Sequence, residues 1–173
     1  MRYFFITQDT KLPGGIRYRD FDITGKRMVF LKSDNERLND STALYLSGTG
    51  KEARPDLLQR PVTMFSRQLK DIIDAYESDL IFKDVVLIHK ENALQYHYVQ
   101  ILLDELDVIS DKTEWYPNQT LKRLVLDTKK IGEHHIFLLN GSYRKDPVIS
   151  LPLAESLMRR KVVGICFEEV EVD

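Results

Sequence analysis

Apolar and polar positions follow two rhythms along this chain. Arg2 to Thr7 is aromatic and β-branched and predicts an interior strand, broken by Pro13-Gly14-Gly15. Ile16 to Phe21 alternates apolar with polar, the mark of a half-buried strand. Met28-Val29-Phe30-Leu31 and Ala43-Leu44-Tyr45-Leu46 are short apolar runs on either side of a polar stretch, Lys32 to Thr42. Gly48 to Pro55 reads as flexible. It is the natural boundary between N-terminal strands and loops (1–55) and a main body (56–173) of one domain. After Ser66, a cap residue, Leu69, Ile72, Ile73 and Tyr76 fall at helical spacing and form one apolar face.

Further strands are expected at Leu80-Ile81-Phe82, at Val85 to Ile88 after the Lys83-Asp84 interruption, and at Ala93 to Leu103. Another is expected at Leu121 to Leu126, with Leu124 and Leu126 on one face and Arg123 and Val125 on the other. His135 to Leu139 is expected to pair with that strand or with the next segment of the chain. Asn140-Gly141 suits a tight turn. Ser150 and Pro152 open a second helix, on which Leu153 and Leu157 share a face beside Ala154 and Met158. Arg159-Arg160-Lys161 closes that helix, where positive charge suits the dipole. Val162 to Phe167 returns as a strand. Beyond it, Glu169, Glu171 and Asp173 alternate with Val170 and Val172, the pattern of an outer strand with one buried side. The expected fold is α+β, a mainly antiparallel sheet with two principal helices packed on it.

The composition is that of an ordinary globular domain. There are 173 residues, 43% hydrophobic and 30% charged, with a net charge of -2. That balance argues against a nucleic-acid binder. No run approaches a membrane span, and the N-terminus has no secretory pattern, so its three Asn-X-Ser/Thr sequons read as polar loops. The single cysteine, Cys166, reads as a small buried hydrophobe and fits a reducing compartment.

Most candidate chemistry fails on spacing. Gly48-Thr49-Gly50-Lys51 has Tyr45 where a phosphate loop needs glycine and Glu52 where it needs a hydroxyl. His134 and His135 would point to opposite faces of a strand. His89 and His97 lack the spacing of a zinc site. The C-terminal carboxylates lack a pocket, and there is no G-x-S-x-G elbow for a serine hydrolase. Asp104, Glu105, Asp107, Asp111 and Glu114 precede Trp115-Tyr116, and Trp115 is the sole tryptophan. Two readings of this segment stand. One is a solvated loop with Trp115 tucked against the core. The other is a protein-binding edge with acidic steering and an aromatic anchor.

Residues 62–170 resemble the immunity protein family 11 of bacterial polymorphic toxin systems, first catalogued as a domain of unknown function. The likeness lies in Phe65-Ser66-Arg67-Gln68-Leu69-Lys70-Asp71-Ile72-Ile73, in His135-Ile136-Phe137-Leu138-Leu139, and in Val148-Ile149-Ser150 through Arg159-Arg160 to Gly164-Ile165-Cys166-Phe167. Arg2 to Ile6 resembles the family's opening strand. These are packing patterns and contain no catalytic signature. Phe137 stands as counterpart of the family's characteristic phenylalanine; its tryptophan is not assigned, and Lys32 to Pro55 has no counterpart.

The resemblance implies an α+β, non-enzymatic, cytoplasmic bacterial protein that needs no cofactor. Its implied partner is a cognate toxin, whose effector domain it binds and blocks; a monomer or small homo-oligomer is expected, with no nucleic acid or membrane bound. Asp104, Glu105, Asp107, Asp111, Glu114, Trp115 and Tyr116 are its candidate contact residues. Three other readings compete: a ligand-binding protein or enzyme with a pocket lined by Tyr96 and Tyr98, a structural or regulatory subunit, and a nucleic-acid contact at Arg159-Arg160-Lys161.

Overall fold

The computed structural model describes residues 1–12, 15–19 and 27–173. The expected break at Pro13-Gly14 and the end of the expected strand at Asp20-Phe21 lie outside them. In chain order the strands are β1 (Tyr3–Gln8), β2 (Arg17–Tyr18), β3 (Ser41–Ser47), β4 (Leu57–Leu58), β5 (Met64–Ser66), β6 (Ile81–His89), β7 (Leu94–Leu102), β8 (Glu105–Leu106), β9 (Glu114–Trp115), β10 (Leu121–Arg123), β11 (Val125–Leu126), β12 (Ile136–Leu139), β13 (Val148–Ser150) and β14 (Ile165–Val172). The α-helices are α1 (Lys70–Asp74), α2 (Thr128–Ile131) and α3 (Leu151–Arg159).

The fold is mixed α/β. Where one mainly antiparallel sheet was expected, the strands form two six-stranded mixed sheets. Sheet I runs β11-β14-β1-β13-β12-β8 and sheet II runs β2-β3-β6-β7-β5-β4; β9 and β10 form a separate ribbon. The β11–β14, β12–β8 and β3–β6 pairs are parallel. Strands from residues 1–55 enter both sheets: β1 lies between β13 and β14, and β3 lies between β2 and β6.

Two sheets explain why many strands are apolar at every position. Successive side chains point to opposite faces, and here both faces are covered. Phe4, Ile6, Ile136, Leu138 and Ile149 of sheet I join Leu57, Phe65, Val99 and Ile101 of sheet II in a central core with α1 and α3. Their neighbours Tyr3, Phe5, Phe137, Leu139 and Val148 belong to a second core on the outer face of sheet I. On sheet II, Leu58, Met64, Val85, Leu87 and Tyr98 belong to a third.

Several local expectations change. The first helix is short: a 3-10 turn at Arg67–Leu69 leads into α1, although Leu69, Ile72 and Ile73 are buried as the spacing requires. Neither serine caps its helix through the side chain. Ser66 Oγ instead donates to Asp56 Oδ1 at 2.6 Å, and Ser150 Oγ shares a 2.6 Å hydrogen bond with His135 Nδ1. Lys83-Asp84 does not interrupt β6. The Lys83 stem is buried while its ammonium reaches Asp40 at 2.7 Å, and Asp84 faces out to Arg67.

The expected strand at 121–126 is split at Leu124, where the chain leaves β9 and joins β14. Val125 and Leu126 are therefore both buried. β12 pairs with its successor in the chain, β13; Asn140-Gly141 forms the expected turn, with Gly141 at a φ of 71°, but the connection runs on through 147 before β13 begins. Met158 is exposed. So is Cys166: Ile165 and Phe167 take the inward positions on β14 and leave it facing out. β14 is not an outer strand, since β1 and β11 flank it. Its acids bind cationic or hydroxyl partners: Arg144 for Glu168, Arg2 for Glu169, Arg123 for Glu171 and Ser110 for Asp173.

Candidate functional site

The β9–β10 ribbon stands outside both sheets and carries the candidate aromatic residues. Trp115 is 45% exposed and Tyr116 51%. Of the two readings of this segment, burial of Trp115 against the core is ruled out. A backbone hydrogen bond from Tyr116 N to Thr120 O, 2.8 Å long, closes the turn between the strands, and Asn118 Oδ1 accepts from the Thr120 hydroxyl. The ring of Trp115 is thus held on a pinned turn. Facing it is the 140–147 connection, on which Tyr143 is 97% exposed. Trp115, Gln119, Gly141, Ser142 and Tyr143 line an open groove of about 620 Å3 between ribbon and loop. No carboxylate, histidine, lysine or arginine lines it.

Tyr143 was not among the residues picked out from the sequence. A signal was present: it is the one large apolar ring in a loop of Asn, Gly, Ser, Arg, Lys and Asp. Leu121 on β10 adds a further exposed apolar side chain.

The acidic candidates do not gather into one surface charge. Asp104 pairs with Lys32 at 2.6 Å and Glu105 with Lys145 at 2.5 Å. Glu114 pairs with Lys122 at 2.6 Å, and Arg123 lies 3.5 Å from it. The Lys122 hydrogen bond holds the Glu114 carboxyl below the ordinary range. Asp107 and Asp111 are exposed and have no ion pair among the described residues. Between these acids, Val108, Ser110 and Thr113 are buried, so the segment is anchored at three points rather than free.

Three further places could hold chemistry. At the meeting of the two sheets lies a cleft of about 610 Å3, bordered by Gln8, Gln59, Arg144 and Asp146. Asp146 is its hub and accepts from Arg27, Gln59 and Arg144, each at 2.7 Å. Burial alone would raise its carboxyl, but the hydrogen bonds from the two arginines outweigh that and hold it below its ordinary range. A second groove, about 630 Å3, is bordered by Tyr76, Glu77, His134 and His135. Both histidines reach it because they precede β12 in a bend, and the strand alternation expected for them does not apply.

Glu77 accepts from the His135 amide at 2.6 Å and lies 2.9 Å from His134 Nδ1. Ser150 and His135 form a serine–histidine pair, yet Ser150 is fully buried and the carboxylate contacts His134 instead of the His135 ring. A hydrolytic triad requires an accessible nucleophile and a base oriented by the acid; this pair has neither. Among the described residues, no three His, Cys, Asp or Glu side chains are placed to hold a metal ion. His89 is buried on β6, and His97 is exposed on β7 opposite Val86.

The third place is the Gly48–Lys51 loop. Glu52 Oε1 accepts from the Thr49 amide at 2.6 Å, so a carboxylate of the chain itself occupies the loop. Tyr96 and Tyr98 do not form the pocket expected of them in the ligand-binding reading. Tyr98 is buried with its hydroxyl donated to Pro55 O at 2.7 Å; Tyr96 lies under Arg54 and borders a space of about 10 Å3. No described helix is long and apolar enough to cross a membrane. Compared with known proteins, the chain matches no family model and no curated protein sequence.

Proposed function

We propose that the protein is a non-enzymatic binder that neutralises a toxin by seizing its effector domain, and that the Trp115–Tyr116–Tyr143 face makes the contact. The reading of the partner rests on the resemblance of residues 62–170 to the immunity family. The reading of the face rests on one observation: large aromatic rings stand half to almost fully exposed on a pinned ribbon and loop and belong to none of the three cores. Exposed tryptophan and tyrosine at the centre of a patch are the usual anchors of a protein interface, which buries about 1,600 Å2 in total. On this reading the protein acts in the bacterial cytoplasm, as a monomer or small homo-oligomer, without a cofactor.

This reading predicts that a large protein with a C-terminal toxin module is encoded beside it, and the test is co-expression with that module. The expected result is restored growth with the native chain, and loss of protection with Trp115→Ala. Affinity for the purified module should fall about thirtyfold, the scale of a ~2 kcal/mol anchor. Full protection by Trp115→Ala would refute the assignment of the face.

A further inference from the structure

We draw no further inference here: the strongest candidate, the cleft of about 610 Å3 at the meeting of the two sheets, has Arg27, Arg144, Lys145 and Asp146 on its walls spent on one another and on Glu105 and Glu168, and nothing in the structure shows what would enter it.

Discussion

Asp56 and Trp115 stand at opposite ends of one scale. Asp56 is an acid at 5% exposure, with both carboxylate oxygens occupied: Oδ1 accepts from Ser66 Oγ and Gln68 Nε2 at 2.6 Å, and Oδ2 from the Val163 amide at 2.7 Å. Its own amide and carbonyl bond to Val163 and Ser66. This one residue ties the β4–β5 corner of sheet II to the segment leading into β14 of sheet I. Trp115 is the largest side chain in the protein, and among the described residues its ring stacks on no other ring and lies under no cation. A buried charge survives only where every lone pair is matched. A single exposed indole needs no explanation, but Trp115 lies with Tyr116 and Tyr143 in one exposed aromatic patch, the kind that marks an interaction site. The first residue is held by what folding requires; the second is free of that requirement and open to selection for binding.

The contrast breaks first at Asp56. Asp56→Ala leaves a hydroxyl, an amide side chain and a backbone N–H without an acceptor. Denaturant unfolding should show a loss of about 3 kcal/mol, the cost of abandoning hydrogen bonds to a charged group. A loss under about 1 kcal/mol would mean that the corner relaxes and that Asp56 does not join the sheets. Glu77 makes a smaller version of the same knot. It accepts from the His135 and Ile136 amides, at 2.6 and 3.4 Å, beyond the end of α1. Glu77→Ala is expected to cost about 2 kcal/mol, and Glu77→Gln, which keeps a carbonyl acceptor, roughly half of that.

Asp146 gives the contrast a pH axis. Its folded pKa is depressed, so its contribution is fully present above the ordinary aspartate range near ~3.9 and is lost as pH falls through the folded value. Asp146→Asn removes that dependence. In the variant, acid unfolding should retain less of its slope below about pH 4, with a stability loss near neutrality of about 1–2 kcal/mol. Identical acid limbs in the two proteins would show that Arg27 and Arg144 do not act through this carboxylate.

Legibility in the sequence divides along the same line. β1, β7, β12 and α3 could be read because burial on one or both faces leaves a periodic trace, and Leu69, Ile72 and Ile73 were readable as a core face for the same reason. That those strands belong to two sheets could not be read. A residue such as Phe5 is equally apolar whether the outer face is covered by a second core or by solvent-side helices. Ser66 and Ser150 looked like caps because capping is local. Their real partners, Asp56 and His135, lie ten or more positions away, where no local pattern reaches. Of the candidate face, Trp115 and Tyr116 were found by composition; Tyr143 was not, because only the folded loop sets it across the groove from Trp115. The acidic run had equal promise in sequence, and its lysine partners Lys32, Lys122 and Lys145 are visible only in three dimensions.

The smallest expected effect is the most informative. Trp115→Ala should change unfolding free energy by less than about 0.5 kcal/mol, because the ring contributes to none of the three cores and the turn beneath it is closed by Tyr116 N and the Asn118 and Thr120 side chains. Thermal melting of the variant beside Asp56→Ala puts both ends of the scale in one measurement. A drop of about 2 kcal/mol or more at Trp115 would mark the indole as part of the packing, on the scale of burying a large apolar side chain. Its exposure would then have no call on a partner, and the proposed contact face would lose its physical basis. A melting curve that does not move, together with lost growth protection, separates holding the fold from holding the toxin.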